Sequence, residues 1–169
     1  MNYHYLPIYI LTTALGTSYY QGFIPPAILS IFAIISLLTY LIYAKDKKAA
    51  RHNEWRTSES TLHLYSLLCG WPGAIVAQQR LRHKSKKTSF RAVFIVTVII
   101  NASLIGWLHT SEGAQILRSY SDKVNHLIAS NISNQHIKGT ISSLFKFRKD
   151  QYTGFENGTF YIRKSKEQL

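Results

Sequence analysis

Charge and hydropathy alternate along this chain in long blocks. Residues 1–43 contain no Lys, Arg, Asp or Glu, and residues 92–111 again contain none. Between them, residues 44–91 hold eleven of the twenty basic residues but only three of the eight acids. A lipid-spanning chain needs this segregation, because an ionised side chain at the bilayer centre costs roughly 2.5–3.5 kcal/mol on insertion scales. Wholly helical, residues 1–43 would extend about 65 Å, twice the ~30 Å hydrocarbon thickness, so the block must cross twice. Gln21-Gly22-Phe23-Ile24-Pro25-Pro26 supplies the break, since the proline pair cannot continue a helix without losing donors. The first span is expected at about 3–20 and the second at about 26–43, with Tyr3, Tyr5, Tyr19, Tyr20, Tyr40 and Tyr43 at their ends as interfacial aromatics. The N-terminus lacks the positive n-region and cleavage site of a secretory signal, so the first span is expected to be retained.

Residues 92–108 form the third expected span, with Trp107 at its far end and Asn101 mid-span, where an amide should face another helix and not lipid. Residues 61–79 are long enough to cross, but Gly70-Trp71-Pro72-Gly73 divides them and both flanks are basic. A broken re-entrant or interfacial helix pair satisfies both facts, provided other helices shield the interrupted backbone. The helix break is assigned to Gly70, Pro72 and Gly73. Complete crossing would carry Arg80, Arg82, Lys84, Lys86, Lys87 and Arg91 to the outer face, against the bias that keeps Lys and Arg cytoplasmic.

The remainder, residues 110–169, reads as an extra-membrane tail following a membrane domain of residues 1–109. Ile116, Leu117, Tyr120, Val124, Leu127, Ile128 and Ile132 recur at helical spacing, and Ile137, Ile141, Leu144 and Phe145 suggest a second amphipathic helix. Asn157-Gly158 lies between two β-prone runs and predicts a hairpin, because both turn positions of that type need φ > 0.

The formal net charge of +12 implies an anionic partner. The six cations of 80–91 are uninterrupted by an acid, and near an anionic leaflet each contributes about 1 kcal/mol. Phosphates of a nucleic acid could meet the same surface. The nearby aromatics, Phe90 and Phe94, lead into the span and make poor base-stacking platforms, so anionic phospholipid is the favoured partner. Asp46 emerges from the second span among Lys45, Lys47 and Lys48 and should pair with Arg56 or Arg82. Glu59 follows Thr57 and Ser58, where it suits the N-terminus of a helix. The single Cys69 excludes an internal disulfide and a thiolate metal cage, and His52, His63 and His83 lack metal-ligand spacing. No Ser-His-acid order, phosphate loop or dinucleotide fingerprint appears, so no catalytic residue, cofactor or metal is assigned.

The middle of the chain carries an ordered set of short motifs: Tyr43-Ala44-Lys45-Asp46-Lys47-Lys48-Ala49-Ala50, Trp55-Arg56-Thr57-Ser58-Glu59-Ser60-Thr61-Leu62-His63-Leu64, Gly70-Trp71-Pro72-Gly73-Ala74, and Arg82-His83-Lys84-Ser85-Lys86-Lys87-Thr88-Ser89-Phe90. Together they resemble the bacterial family called domain of unknown function 1294, over roughly residues 25–108. Where relatives often have Gly-Gly before the proline, this sequence has Cys69-Gly70. Some members carry a cold-shock domain before the first span; none is visible here, so nucleic-acid binding by that module is not implied. The resemblance implies an architecture and transfers no chemistry.

These readings converge on an all-α integral membrane protein of a bacterial inner membrane. It would have three transmembrane helices, a broken re-entrant pair, and a small tail of amphipathic helix and β-hairpin. The function they favour is a scaffold or tether whose basic cytoplasmic surface contacts anionic lipid or a membrane-protein partner. Two alternatives stand beside it: an enzyme or carrier for a lipid-like substrate at the Gly70–Gly73 break, because discontinuous helices often mark membrane binding sites, and a membrane-anchored nucleic-acid binder.

Overall fold

A computed structural model describes residues 3–81, 87–148, 151–156 and 159–164 of the chain. It is predominantly helical. A 3-10 turn, Tyr3–Tyr5, leads into α1 (Leu6–Gln21), followed by α2 (Pro26–Arg51), α3 (Glu59–Tyr65), a π-type turn at Ser66–Gly70, and α4 (Trp71–Leu81). Then come α5 (Thr88–Trp107), α6 (Ser111–Asn131), α7 (Gln135–Phe145) and two strands, β1 (Gln151–Glu156) and β2 (Thr159–Lys164). The strands pair antiparallel, with Gln151 opposite Lys164 and Glu156 opposite Thr159. The expected turn residues, Asn157 and Gly158, lie outside the described residues.

The break between the first two helices falls where the sequence puts it. α1 ends at Gln21, Gly22 turns the chain at φ 87°, and Pro26 opens α2, where its missing N–H would have had no intrahelical partner in any case. α2 runs two turns past the expected end of the second span, to Arg51. α2 and α5 are long and apolar enough to cross a bilayer. Only 22 % and 17 % of their most apolar windows are buried within the protein. Ile34, Leu37, Leu41, Ile95, Ile99 and Leu104 all lie more than half exposed. A helix at the core of a soluble domain would bury that surface, whereas a helix solvated by lipid leaves it outward. α1, at sixteen residues, measures about 24 Å and falls short of the ~30 Å core by itself.

The chain divides into two compact units. The first comprises Met1–Leu11 and Ser30–Ser103. Its centre is built where α2, the α3–α4 pair and the start of α5 meet, and Thr39, Tyr43, Asp46, Leu62, Ser66, Ala74 and Ala77 are fully enclosed there. Phe90 closes this core, edge-on to Tyr43 at 6.4 Å and tilted over His63 at 4.2 Å.

The second unit comprises Thr12–Leu29 and Leu104–Leu169. Here the buried guanidinium of Arg118 donates to the Gly22 carbonyl at 2.9 Å and stacks over Phe147 at 4.2 Å, pinning the α1–α2 turn. His109 bonds Ser18 through Nε2 at 2.8 Å and the Ile105 carbonyl through Nδ1 at 2.8 Å. Thr110 caps α6 by accepting from the Gly113 N–H. The face of α6 that packs inward is small and polar: Ser111, Gly113, Ala114, Arg118 and Ser121, with Ile128. Ile116, Tyr120 and Leu127 of the apolar stripe point outward instead. At Gly113 an added Cβ would meet the Trp107 carbonyl, so only a bare backbone fits there.

Candidate functional site

The first unit gathers the charged residues singled out in the sequence. Asp46, fully buried at the end of α2, accepts from the Thr57 backbone N–H at 3.0 Å and faces Arg56 Nε at 3.6 Å through the same oxygen. It thereby ties the loop after α2 to the approach to α3. Arg82, the other candidate partner, lies outside the described residues, as do Lys84 and Lys86. Ser58 caps α3 by accepting from the Thr61 N–H, and Glu59 occupies the first turn, where its charge meets the helix dipole. Glu59 also takes the ammonium of Lys87 at 2.8 Å. That pair joins the start of α3 to the start of α5. At about 10 and 16 Å, α3 and α4 are each too short to cross a ~30 Å core.

The reversal between α3 and α4 is made at Leu68 (ψ 40°) and Cys69 (φ 71°), immediately ahead of Gly70. Cys69 occupies the left-handed region that glycine tolerates best. Asn101 of α5 donates to the Leu67 carbonyl at 2.9 Å, satisfying backbone that the break would strip of its partner. Pro72 sits in the first turn of α4, where no N–H is needed. Gly70 and Gly73 serve contact more than flexibility. A Cβ on Gly73 would meet the Ser36 carbonyl of α2, and one on Gly70 would meet the Thr39 hydroxyl.

Gly73 thus touches Ser36, and one and a half turns further on Gln78 reaches the hydroxyl of Tyr43. Both positions advance together, so α2 and α4 run parallel toward the basic residues that end them. Beside this contact lies an open groove of about 250 Å³, walled by Leu37, Tyr40, Pro72, Val76 and Ile8. Its exposed lining is apolar, and the Ser36 hydroxyl behind it is buried and closes no well-aligned hydrogen bond.

Around this core Lys45, Lys48, Arg51, Arg80 and Arg91 are exposed. Trp55 is fully exposed on the loop between α2 and α3. The basic run drew attention to 80–91; the α2–α4 groove and the outward Trp55 needed the fold to be seen. A lone tryptophan beside Arg51 and Arg56 was the one signal available for the latter.

Residues 36–90, bounded by the Ser36 contact and by Phe90, match the family described as "Protein of unknown function (DUF1294)". A stretch of 72 residues is 33 % identical to the "Uncharacterized protein YsdA" of Bacillus subtilis (strain 168), covering 43 % of this chain and 81 % of that protein. The chain belongs to the DUF1294 family. No solved structure matches it. The DUF1294 segment coincides with the packed centre of the first unit: the end of α2, the α3–α4 reversal and the first turn of α5. The second unit lies wholly outside it.

Proposed function

We propose that this protein is a small multi-pass scaffold of the bacterial inner membrane that presents one basic cytoplasmic face to anionic lipid head groups. The observation that carries this reading is the Glu59–Lys87 ion pair, which joins a residue of the basic segment 44–60 to a residue of the basic segment 80–91. Of the three acids in residues 44–91, Asp46 is engaged with Arg56 and Glu59 with Lys87, leaving the exposed Glu54 against eleven cations. Arg80 and Arg91 are exposed, the sequence between them adds Arg82, Lys84 and Lys86 with no acid, and the fully exposed Trp55 serves as an interfacial anchor. In this reading α1 with its leading 3-10 turn supplies the third crossing, tilted or thinning the bilayer to meet its length. The α3–α4 pair enters from the cytoplasmic side and returns, and residues 110–169 lie on the opposite side. The reversal at Leu68–Cys69 has its freed carbonyl satisfied by Asn101, which favours a structural break over a substrate site.

The protein, reconstituted in zwitterionic nanodiscs, should adhere to phosphatidylglycerol vesicles and not to phosphatidylcholine vesicles, and the adhesion should fall with salt. Replacing Arg80, Arg82, Lys84, Lys86 and Lys87 together by Gln should abolish the preference. Undiminished adhesion of that variant would remove this face as the lipid contact.

A further inference from the structure

The groove between α2 and α4 is apolar along its walls and ends in cations. From Tyr40, two helical turns along the same face of α2 lead to half-buried Lys47; from Val76, one turn along α4 leads to exposed Arg80. The parallel register set by Gly73 on Ser36 and Gln78 near Tyr43 leaves Lys47 about 3–6 Å beyond Arg80 along the helix axes, about one turn, which two long side chains can bridge. The nearest acid in sequence, Asp46, is fully buried and bound to Thr57 and Arg56, so it does not cancel them. From Lys47 back to Leu37 is ten residues, about 15 Å along the helix, which is the depth of one leaflet.

We propose that this groove holds one acyl chain of an anionic glycerophospholipid, with its headgroup phosphate held between Lys47 and Arg80. The proposal rests on the membrane reading above but not on the adhesive role of the 80–91 run. The chain lies over Val76 and Tyr40 and reaches Ile8, Leu37 and Pro72 at the inner end. The opening of the groove along its length suits a lipid entering sideways from the bilayer, and the paired cations select a headgroup of net negative charge. Phosphatidylcholine has the same chain and phosphate, but its choline cation opposes both side chains.

Trp71, next to Pro72 at the inner end, reports occupancy. A full-length variant keeping only this tryptophan (Trp55→Phe with Trp107→Phe) is reconstituted in phosphatidylcholine with a minor fraction of chain-brominated lipid, either phosphatidylglycerol or phosphatidylcholine. Brominated phosphatidylglycerol should quench Trp71 far beyond its share of the lipid, and brominated phosphatidylcholine only in proportion to it. Lys47→Gln with Arg80→Gln should lower the preference about thirtyfold, each cation contributing at the strength typical near an anionic leaflet. Val76→Phe, which fills the groove, should reduce quenching by both lipids while leaving helix content and vesicle adhesion intact. Gln at Arg82, Lys84 and Lys86, which leaves the Glu59–Lys87 pair in place, should weaken adhesion and leave Trp71 quenching unchanged, separating this site from the face. Equal quenching by the two lipids in the parent, or an unchanged preference in the Lys47/Arg80 variant, would overturn the proposal.

Discussion

Alanine in place of Gly73 and alanine in place of Gly16 should shift stability in opposite directions. Both glycines sit in helices, where Ala is intrinsically better by about 0.5–1 kcal/mol. Around Gly16 nothing lies within 4 Å of the added carbon, so Gly16→Ala should realise that gain. At Gly73 the new Cβ would overlap the Ser36 carbonyl oxygen and lie 2.5 Å from its carbon and 2.8 Å from the Ser36 Cα. Carbon pairs rest at about 3.5–4.0 Å, so α4 must move about 1 Å away from α2. The opposing atoms are backbone and cannot rotate aside. A gap of that size forfeits about a quarter to a half of each contact it opens, and Ala74, Ala77 and Trp71 are all buried along this helix. Overpacking of this kind costs about 1–3 kcal/mol, which exceeds the propensity gain. At about 2–4 °C per kcal/mol for a chain of this size, Gly73→Ala should lower Tm by about 2–10 °C and Gly16→Ala raise it by about 1–4 °C. Circular dichroism melting of the detergent-purified variants measures both. A Gly73→Ala protein as stable as the parent would refute the α2–α4 contact and the register drawn from it.

The remaining predictions concern the polar ties and the topology. Asp46→Asn keeps an oxygen for the Thr57 N–H but loses the charge-assisted bonds, and should cost about 1–2 kcal/mol; Arg56→Gln, at a half-exposed partner, should cost under about 1 kcal/mol. Melting curves of equal depression would contradict the ranking. Asn101→Leu deprives the Leu67 carbonyl of its donor and should cost about 0.6–1.7 kcal/mol, the range found for interhelical bonds in membranes; a stabilised variant would show that the break does not depend on this amide. Single cysteines at Asn53, Ser85 and Asp150 in a Cys69→Ser background should react with a membrane-impermeant maleimide on intact cells only at position 150. Labelling at 85 would replace the re-entrant pair with a fourth crossing.

Several features of this protein were legible in its order of residues because their causes are local. Charge-free blocks of span length mark α2 and α5, since the cost of an ion in hydrocarbon is paid wherever the chain is folded. Gly22 and the Pro25–Pro26 pair stop one helix and start another through backbone sterics alone. Asn101, a lone amide in an apolar run, announced a helix partner, though not that its acceptor would be the Leu67 carbonyl. The motifs shared with the DUF1294 family were also readable, as was a broken helix pair between two basic flanks. The location of the reversal was not. The sequence draws attention to Gly70-Trp71-Pro72-Gly73, yet the non-helical dihedrals fall at Leu68 and Cys69, because Gly70 and Gly73 are needed as bare surfaces against Thr39 and Ser36. Likewise α6 turns Ser111, Gly113, Ala114, Arg118 and Ser121 inward and leaves Ile116, Tyr120 and Leu127 outside, with the Arg118 guanidinium bound to the Gly22 carbonyl. Which acid meets which cation, and which helices wall a groove, are decided by contacts between residues tens of positions apart, such as Glu59 with Lys87 and Gly73 with Ser36. Periodicity reports which residues avoid water. It carries no information on which of them touch, and that was settled only when α2 and α4 packed in parallel.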